Sequence, residues 1–179
     1  MKKYIQKVDF ETALPPMSSD IERAVLGGVL VSNSVSEKVM ADFSEDIFYM
    51  PANKIIAKAI IELYKENSAI DLITVANKIK TKNQIKEIGG THYIASLTSN
   101  VAGDHNIEWH IKILQQESLR RSLLNVCSQA INNAFNDEVD VFDLYSETQK
   151  AIDDSLKSVL HYEVESISDI HQDNLKESL

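Results

Sequence analysis

Apolar residues along this 179-residue chain recur at three- and four-residue spacing, and no stretch of any length alternates with a period of two. The pattern predicts an all-α protein. A first helix follows Ser19-Asp20-Ile21-Glu22, read as a capping box, and Ile21, Ala24, Val25, Leu26, Val29 and Leu30 make it apolar on most sides. Gly27-Gly28 inside it costs about 1 kcal/mol per residue relative to Ala, which predicts close approach of another helix there. Ser34 with Glu37 repeats the capping signal for a short helix carrying Val39 and reaching toward Phe43. Pro51 suits a first helical turn, and Ile55, Ile56, Ala59, Ile60 and Leu63 follow it as one stripe. Asp71 is placed to cap a helix with an inner face of Leu72, Val75, Ala76 and Ile79, and Gly89-Gly90 predicts a tight turn before a short helix holding Tyr93, Ile94 and Leu97.

The longest elements come next. From Asn106 to Phe135 there is neither Gly nor Pro, and good helix formers dominate. Asn136-Asp137-Glu138 breaks the pattern, and Asp140 is placed to cap a second long helix from Val141. An antiparallel helical hairpin is the direct expectation over residues 104–160. On its first helix, Leu119, Leu123, Val126, Ala130 and Ala134 fall in one sector and Ile107, Ile111 and Leu114 roughly opposite, so that helix serves two partners. Val141, Leu144, Tyr145, Thr148, Ile152, Leu156 and Val159 share one face of the second, which suits the sector around Leu123 and Val126. Leu124, Ile131 and Phe135 remain without cover inside the pair, and either the rest of the chain or a second copy must supply it.

The domain division expected is an arm over residues 1–17 containing Pro15-Pro16, a helical domain over 18–160 (bundle 18–103, hairpin 104–160), and a linker region over 161–179. In that linker Ser166 or Ser168 can cap a last helix with Ile167, Ile170 and Leu175 on one side, expected to dock in a groove because a lone helix of that size is marginal in water.

Charge changes this picture at one end only. Residues 134–179 hold twelve acids against three lysines and carry the whole net charge of −9, while the remaining 133 residues balance at fifteen of each sign. An acidic stretch repels phosphates, so this region is expected to be a solvated face or to meet a basic protein. Lys78, Lys80, Lys82 and Lys86 form the densest basic group, expected to be a solvated helix face, with phosphate contact as the alternative. Candidate chemistry is sparse. Neither glycine pair has phosphate-loop spacing or a following Lys-Ser or Lys-Thr, and His92, His105, His110, His161 and His171 show no metal-ligand spacing. No cofactor is therefore expected. Trp109 beside His110 is expected to be a packing aromatic, and Cys127 a core residue at the edge of the packed sector rather than a nucleophile. The longest apolar run, Ala24 to Val31, is eight residues and contains two glycines, and Met1-Lys2-Lys3 precedes no apolar segment. No membrane span, no secretory signal and a cytoplasmic location are expected.

The order of features resembles a known family, the N-terminal domain of the DnaB-type replicative DNA helicase. The residues that carry the resemblance are Leu14-Pro15-Pro16, then Ile21 to Leu30, Phe48-Tyr49 ahead of Ile55 to Ile60, Ile70 to Val75, Ile88 to Leu97, and Asn106 before a long helix with Glu117 and Arg120-Arg121. Together they span about residues 14 to 158, and the helix after Ser166 is similar to the family's linker helix. The resemblance implies a six-helix globular part and a protruding hairpin that pairs between subunits, with Ile111, Leu114, Leu124, Ile131, Phe135, Tyr145 and Ile152 assigned to that contact. It also implies a collar built as a trimer of dimers above a ring of ATPase domains, recruitment of primase, a helicase loader as a further partner, and a linker docking through Ile167, Ile170 and Leu175. DNA would be met only by the motor domains of an ATP-dependent 5'-3' helicase, and no such motor occurs in these residues. The expectation is thus a non-catalytic assembly domain, or alternatively a free-standing paralogue that regulates or inhibits helicase rings by co-assembly. Asn53 stands where the family often has histidine.

Overall fold

A computed structural model describes residues 14–99 and 106–160. Every element among them is helical: α1 (Ser19–Val31), α2 (Asn33–Val39), a 3-10 turn (Glu45–Ile47), α3 (Pro51–Lys65), α4 (Leu72–Thr81), α5 (Thr91–Thr98), α6 (Ile107–Ala134) and α7 (Val141–Leu160). The linker positions Ile167, Ile170 and Leu175 lie outside the described residues.

The bundle is built around α1, which packs on α2, α3, α5 and α6. That position explains why α1 is apolar on most sides: Val25, Leu26 and Val29 have no exposed surface. They share the core with Ile47, Phe48, Ile56, Ile60, Val75, Ile79 and Ile94. Each fully buried side chain of this size stabilises the fold by about 1.5–3 kcal/mol relative to exposure, before the entropy of ordering it is subtracted. The glycine pair fits the same account. A Cβ on Gly28 would stand 2.6 Å from Ile107 Cδ1 and 3.2 Å from its Cγ1, so the missing side chain lets the first turn of α6 lie against α1.

Local signals fare unevenly. Asp71 caps α4 through a reciprocal capping box: its carboxylate accepts the Ile73 and Thr74 amides at 2.7 and 2.8 Å, and the Thr74 hydroxyl accepts the Asp71 amide. Pro51 opens α3, and Gly89 and Gly90 turn the chain at φ +84° and +91°, where other residues are strained. The two Ser/Glu boxes do not form. Neither Ser18 nor Ser32, the residues at those helix starts, caps with its side chain, and Phe43 lies beyond the end of α2. Glu22 is instead fully buried, because a better set of donors waits for it in the core.

Those donors come from the start of α3. The Glu22 carboxylate accepts the Tyr49 amide at 2.5 Å, the Met50 amide at 3.2 Å and the Asn53 side-chain amide at 2.7 Å. Asn53 Oδ1 in turn accepts the Tyr93 hydroxyl at 2.8 Å, so α1, α3 and α5 are joined by one polar chain. A carboxylate facing the free amides of a helix start is favoured both by hydrogen bonding and by the helix dipole.

Pro16 and Ser18, just before α1, are both held by α6. The Pro16 carbonyl accepts Arg121 Nη1 at 2.8 Å and the Ser18 hydroxyl donates to Glu117 at 2.5 Å. Backbone groups held by α6 in this way are no longer free to wander.

Candidate self-association site

α6 is 28 residues long, about 42 Å at the α-helical rise, and its two halves do different work. Ile107, Ile111, Leu114 and Ser118 are buried against the bundle. This corrects the expectation for Ile111 and Leu114: they are 1% and 0% exposed, so no second copy can reach them. Their arc turned out to be the bundle-facing side of the helix that serves two partners. Beyond Arg121 the helix projects, accompanied by α7.

Arg121 fixes the point of departure. Its second nitrogen donates to the Ile47 carbonyl at 3.1 Å, and the guanidinium stacks 5.5 Å above the Tyr49 ring. Burial draws its pKa below the ordinary value, and the charges of Glu22 and Glu117 oppose that shift.

Along the hairpin the seam is narrow. Ser122 and Ser155 hydrogen-bond across it at 2.7 Å, and Val126 and Ala130 line a shallow cleft between the helices together with Leu144, Thr148 and Ala151. Asp140 caps α7 as expected, accepting the Phe142 and Asp143 amides at 2.8 and 3.2 Å. The apolar arcs are wider than this seam, and the excess faces solvent. Of the positions assigned to self-association, Leu124 is 43%, Ile131 51%, Phe135 85%, Tyr145 73% and Ile152 41% exposed. Leu123, Val141, Phe142 and Leu156 are exposed with them. Leu123, Val141 and Leu156 had been expected to pack within the pair, and Phe142 carried no signal because it sits next to the predicted face rather than on it.

These residues form one surface. At about 100° per residue, the arc of Leu123, Leu124, Cys127 and Ile131 on α6 is turned about 130° from the seam, and that of Val141, Tyr145, Ile152 and Leu156 on α7 about 90° in the same rotational sense. In antiparallel neighbours, rotations of the same sense carry both arcs to the same side. The α6 arc also lies about 150° from the bundle-facing arc of the same helix, so the strip looks away from the bundle. A lone exposed Leu needs no explanation, but seven large apolar side chains on one side of a two-helix projection make a candidate docking surface.

Three other candidates resolve differently. Cys127 is exposed on the strip and is not a core residue. Trp109 is exposed as well, against the expectation of a packing aromatic, because it lies on the side of α6 opposite the bundle. Among the lysines of α4 and the turn after it, Lys78 pairs with Glu66 at 2.5 Å and approaches Glu62 at 3.8 Å, while Lys82 bonds to Glu62. The hydrogen bond from Lys82 holds the Glu62 carboxyl below its usual range. Carboxylates from α3 and its C-cap thus satisfy two of the four cations that phosphate contact would require, which favours the solvated-face expectation. Among the described residues no cluster of three or more His, Cys, Asp or Glu could hold a metal ion, and no helix is long and apolar enough to cross a membrane.

Comparison with known proteins identifies the family of the fold. Residues 14–116, more than half of the chain, match the family described as the DnaB-like helicase N terminal domain. The chain belongs to that family. It is 33% identical over 126 residues to the replicative DNA helicase DnaB of Treponema pallidum (strain Nichols), covering 70% of this chain and 29% of that protein. It is 29% identical over 139 residues to the DnaB of Rhodothermus marinus, covering 78% of this chain and 15% of that protein. The chain therefore spans less than a third of the length of these relatives. Among solved structures it superposes on the N-terminal domain of DnaB helicase from Mycobacterium tuberculosis with a TM-score of 0.74 at 27% identity, covering 79% of this chain and 99% of that one. It shares its fold with a DnaB-like replicative helicase whose structure is described with its interactions with primase, with a TM-score of 0.64 at 18% identity, over 77% of this chain and 31% of that one.

Proposed function

We propose that this DnaB-type domain is a non-catalytic assembly module, which pairs with a second copy through the hairpin strip and, within a helicase ring, builds a collar that recruits primase during DNA replication. The observation that carries the reading is the strip itself: Leu124, Ile131, Phe135, Tyr145 and Ile152 are exposed in a single chain, on the side turned away from the bundle. Burying such a surface against its own copy returns about 25 cal/mol per Å² of apolar area, which is the driving force expected of an isologous two-fold contact. Primase recruitment is supported by the family resemblance and by the fold shared with a helicase described with its primase interactions.

Sedimentation equilibrium tests the self-association. The chain should reach dimer mass at micromolar concentration, and the double variant Ile131→Lys with Tyr145→Lys should sediment as a folded monomer with unchanged helical circular dichroism. A wild-type chain that stays monomeric at hundreds of micromolar rules the reading out. Primase binding is tested separately, by titrating primase into the wild-type chain under calorimetry.

A further inference from the structure

We infer that residues 161–179 fold back onto their own bundle and seat Ile167 and Ile170 in the cleft between the Glu45–Ile47 turn and α3, with Asp169, Asp173 and Glu177 along a row of lysines on α3. The inference stands apart from the self-association reading above, since neither the cleft nor the segment belongs to the hairpin strip.

The cleft has a volume of about 470 Å³. Met40, Phe43 and Ile61 give it an apolar lining, and the Tyr64 ring beside them is 46% exposed. Lys58 and Lys65 line it as well. On α3, Lys54, Lys58 and Lys65 are all exposed and fall, with Ile61, within about 60° of one another, so one side of that helix carries three cations. Among the described residues no carboxylate forms a salt bridge with Lys54 or Lys65, and Lys58 has only Glu45, a well-exposed pair at 3.7 Å that contributes little. Glu62 and Glu66 do not compete for these lysines, because Lys82 and Lys78 hold them. The other wall is acidic: Glu45 and Asp46 belong to it, and Asp42 is exposed just ahead of it.

The chain leaves α7 beside this cleft. Ser155 meets Ser122 across the hairpin seam, so the last turn of α7 lies along residues 118–121 of α6, where Ser118 and Arg121 bond to the Asp46 and Ile47 carbonyls. α7 thus ends against the turn that walls the cleft, and the two elements touch. The nineteen residues after Leu160 carry Glu163, Glu165, Asp169, Asp173 and Glu177 against a single lysine, Lys176. Six of them, extended, span about 20 Å, enough to pass the turn and reach α3. At helical spacing Asp169, Asp173 and Glu177 share an arc of about 80°, with Ile170 at its border and Ile167 about 60° further round. That pattern matches the cleft, with an apolar edge for the lining and an acidic edge for the lysines. Glu45 and Asp46 repel the acids from their own wall, which leaves the α3 side as the favoured seat. A segment held in this way is withheld from other subunits, so docking elsewhere has to compete with it.

Hydrogen exchange of the full chain tests this. Amides of residues 167–177 should exchange roughly tenfold more slowly than in the variant Lys54→Glu, Lys58→Glu, Lys65→Glu, which alters only exposed side chains and should keep its helical circular dichroism. Adding Asp169→Lys, Asp173→Lys and Glu177→Lys to that variant should restore the protection, and Ile170→Ser alone should remove it. Wild-type amides that exchange at the rate of an unstructured peptide overturn the docking, and protection indifferent to the lysine reversal overturns the cleft as its seat. Carbodiimide coupling in an equal mixture of isotope-labelled and unlabelled chains identifies whose segment is bound. Lys58 or Lys65 joined to Asp169 or Asp173 should come from one isotope only; products that pair the isotopes assign the segment to a second copy and overturn the fold-back. The Ile131→Lys, Tyr145→Lys variant should retain the protection, which separates this result from any failure of self-association.

Discussion

A carboxylate with no exposed surface is costly unless its lone pairs are filled, and Glu22 meets that condition with three donors from the start of α3. Replacing it by Ala would leave the Tyr49 and Met50 amides and the Asn53 amide without an acceptor inside the core. The expected loss is about 3 kcal/mol, read as a shift in the urea midpoint at constant slope. Gln keeps an acceptor and should recover part of the loss. Nothing in the sequence distinguished this role: Glu three residues after Ser19 has the spacing of a capping box, and only the arrival of residues 49–53 beside it shows that its partners lie across the core. The same is true of Asn53, whose side chain joins Glu22 to Tyr93.

At the scale of the element, local rules succeeded wherever the competing partner was also local. Asp71 lies next to the amides it caps, and the sequence predicts it correctly. Thr74 chiefly, through its backbone amide, and then Ile73 hold the Asp71 carboxyl below its ordinary value. A depressed folded-state value means that the cap stabilises α4 at pH above the ordinary carboxyl range and loses that contribution as pH falls through the depressed value. Asp71→Ala should therefore cost about 1 kcal/mol at neutral pH, a difference from wild type that shrinks on acidification in thermal melts, whereas Asp71→Asn should keep most of the stability. α6 shows where local rules stop. Its apolar positions do fall on two arcs, yet the pattern points Ile111 and Leu114 to a partner copy and Leu123 to the seam. The burial of Ile111 and Leu114 and the exposure of Leu123 reverse both assignments.

For the molecule as a whole, the bundle covers its own apolar faces and the hairpin leaves one of its own uncovered. The bundle closes around α1, while the projecting part of α6 has only α7 for cover and keeps an apolar strip exposed. Cys127 on that strip is a convenient reporter. Its reaction with a maleimide should be rapid in dilute protein and fall as concentration rises through the association range, and in the Ile131→Lys, Tyr145→Lys variant the rate should no longer depend on concentration.

The sequence by itself determined the helical class, the succession of elements, the hairpin, the cap of α4, the turn at Gly89-Gly90 and the family, because each rests on spacing or short-range order that survives without knowledge of neighbours. The tertiary structure alone decided which arc of α6 meets the bundle, why Glu22 is buried, that Cys127 and Trp109 are exposed, and that Lys78 and Lys82 are paired. Periodicity gives the angle between faces of a helix but not which face a neighbour will cover; that choice depends on how elements distant in the chain share one core.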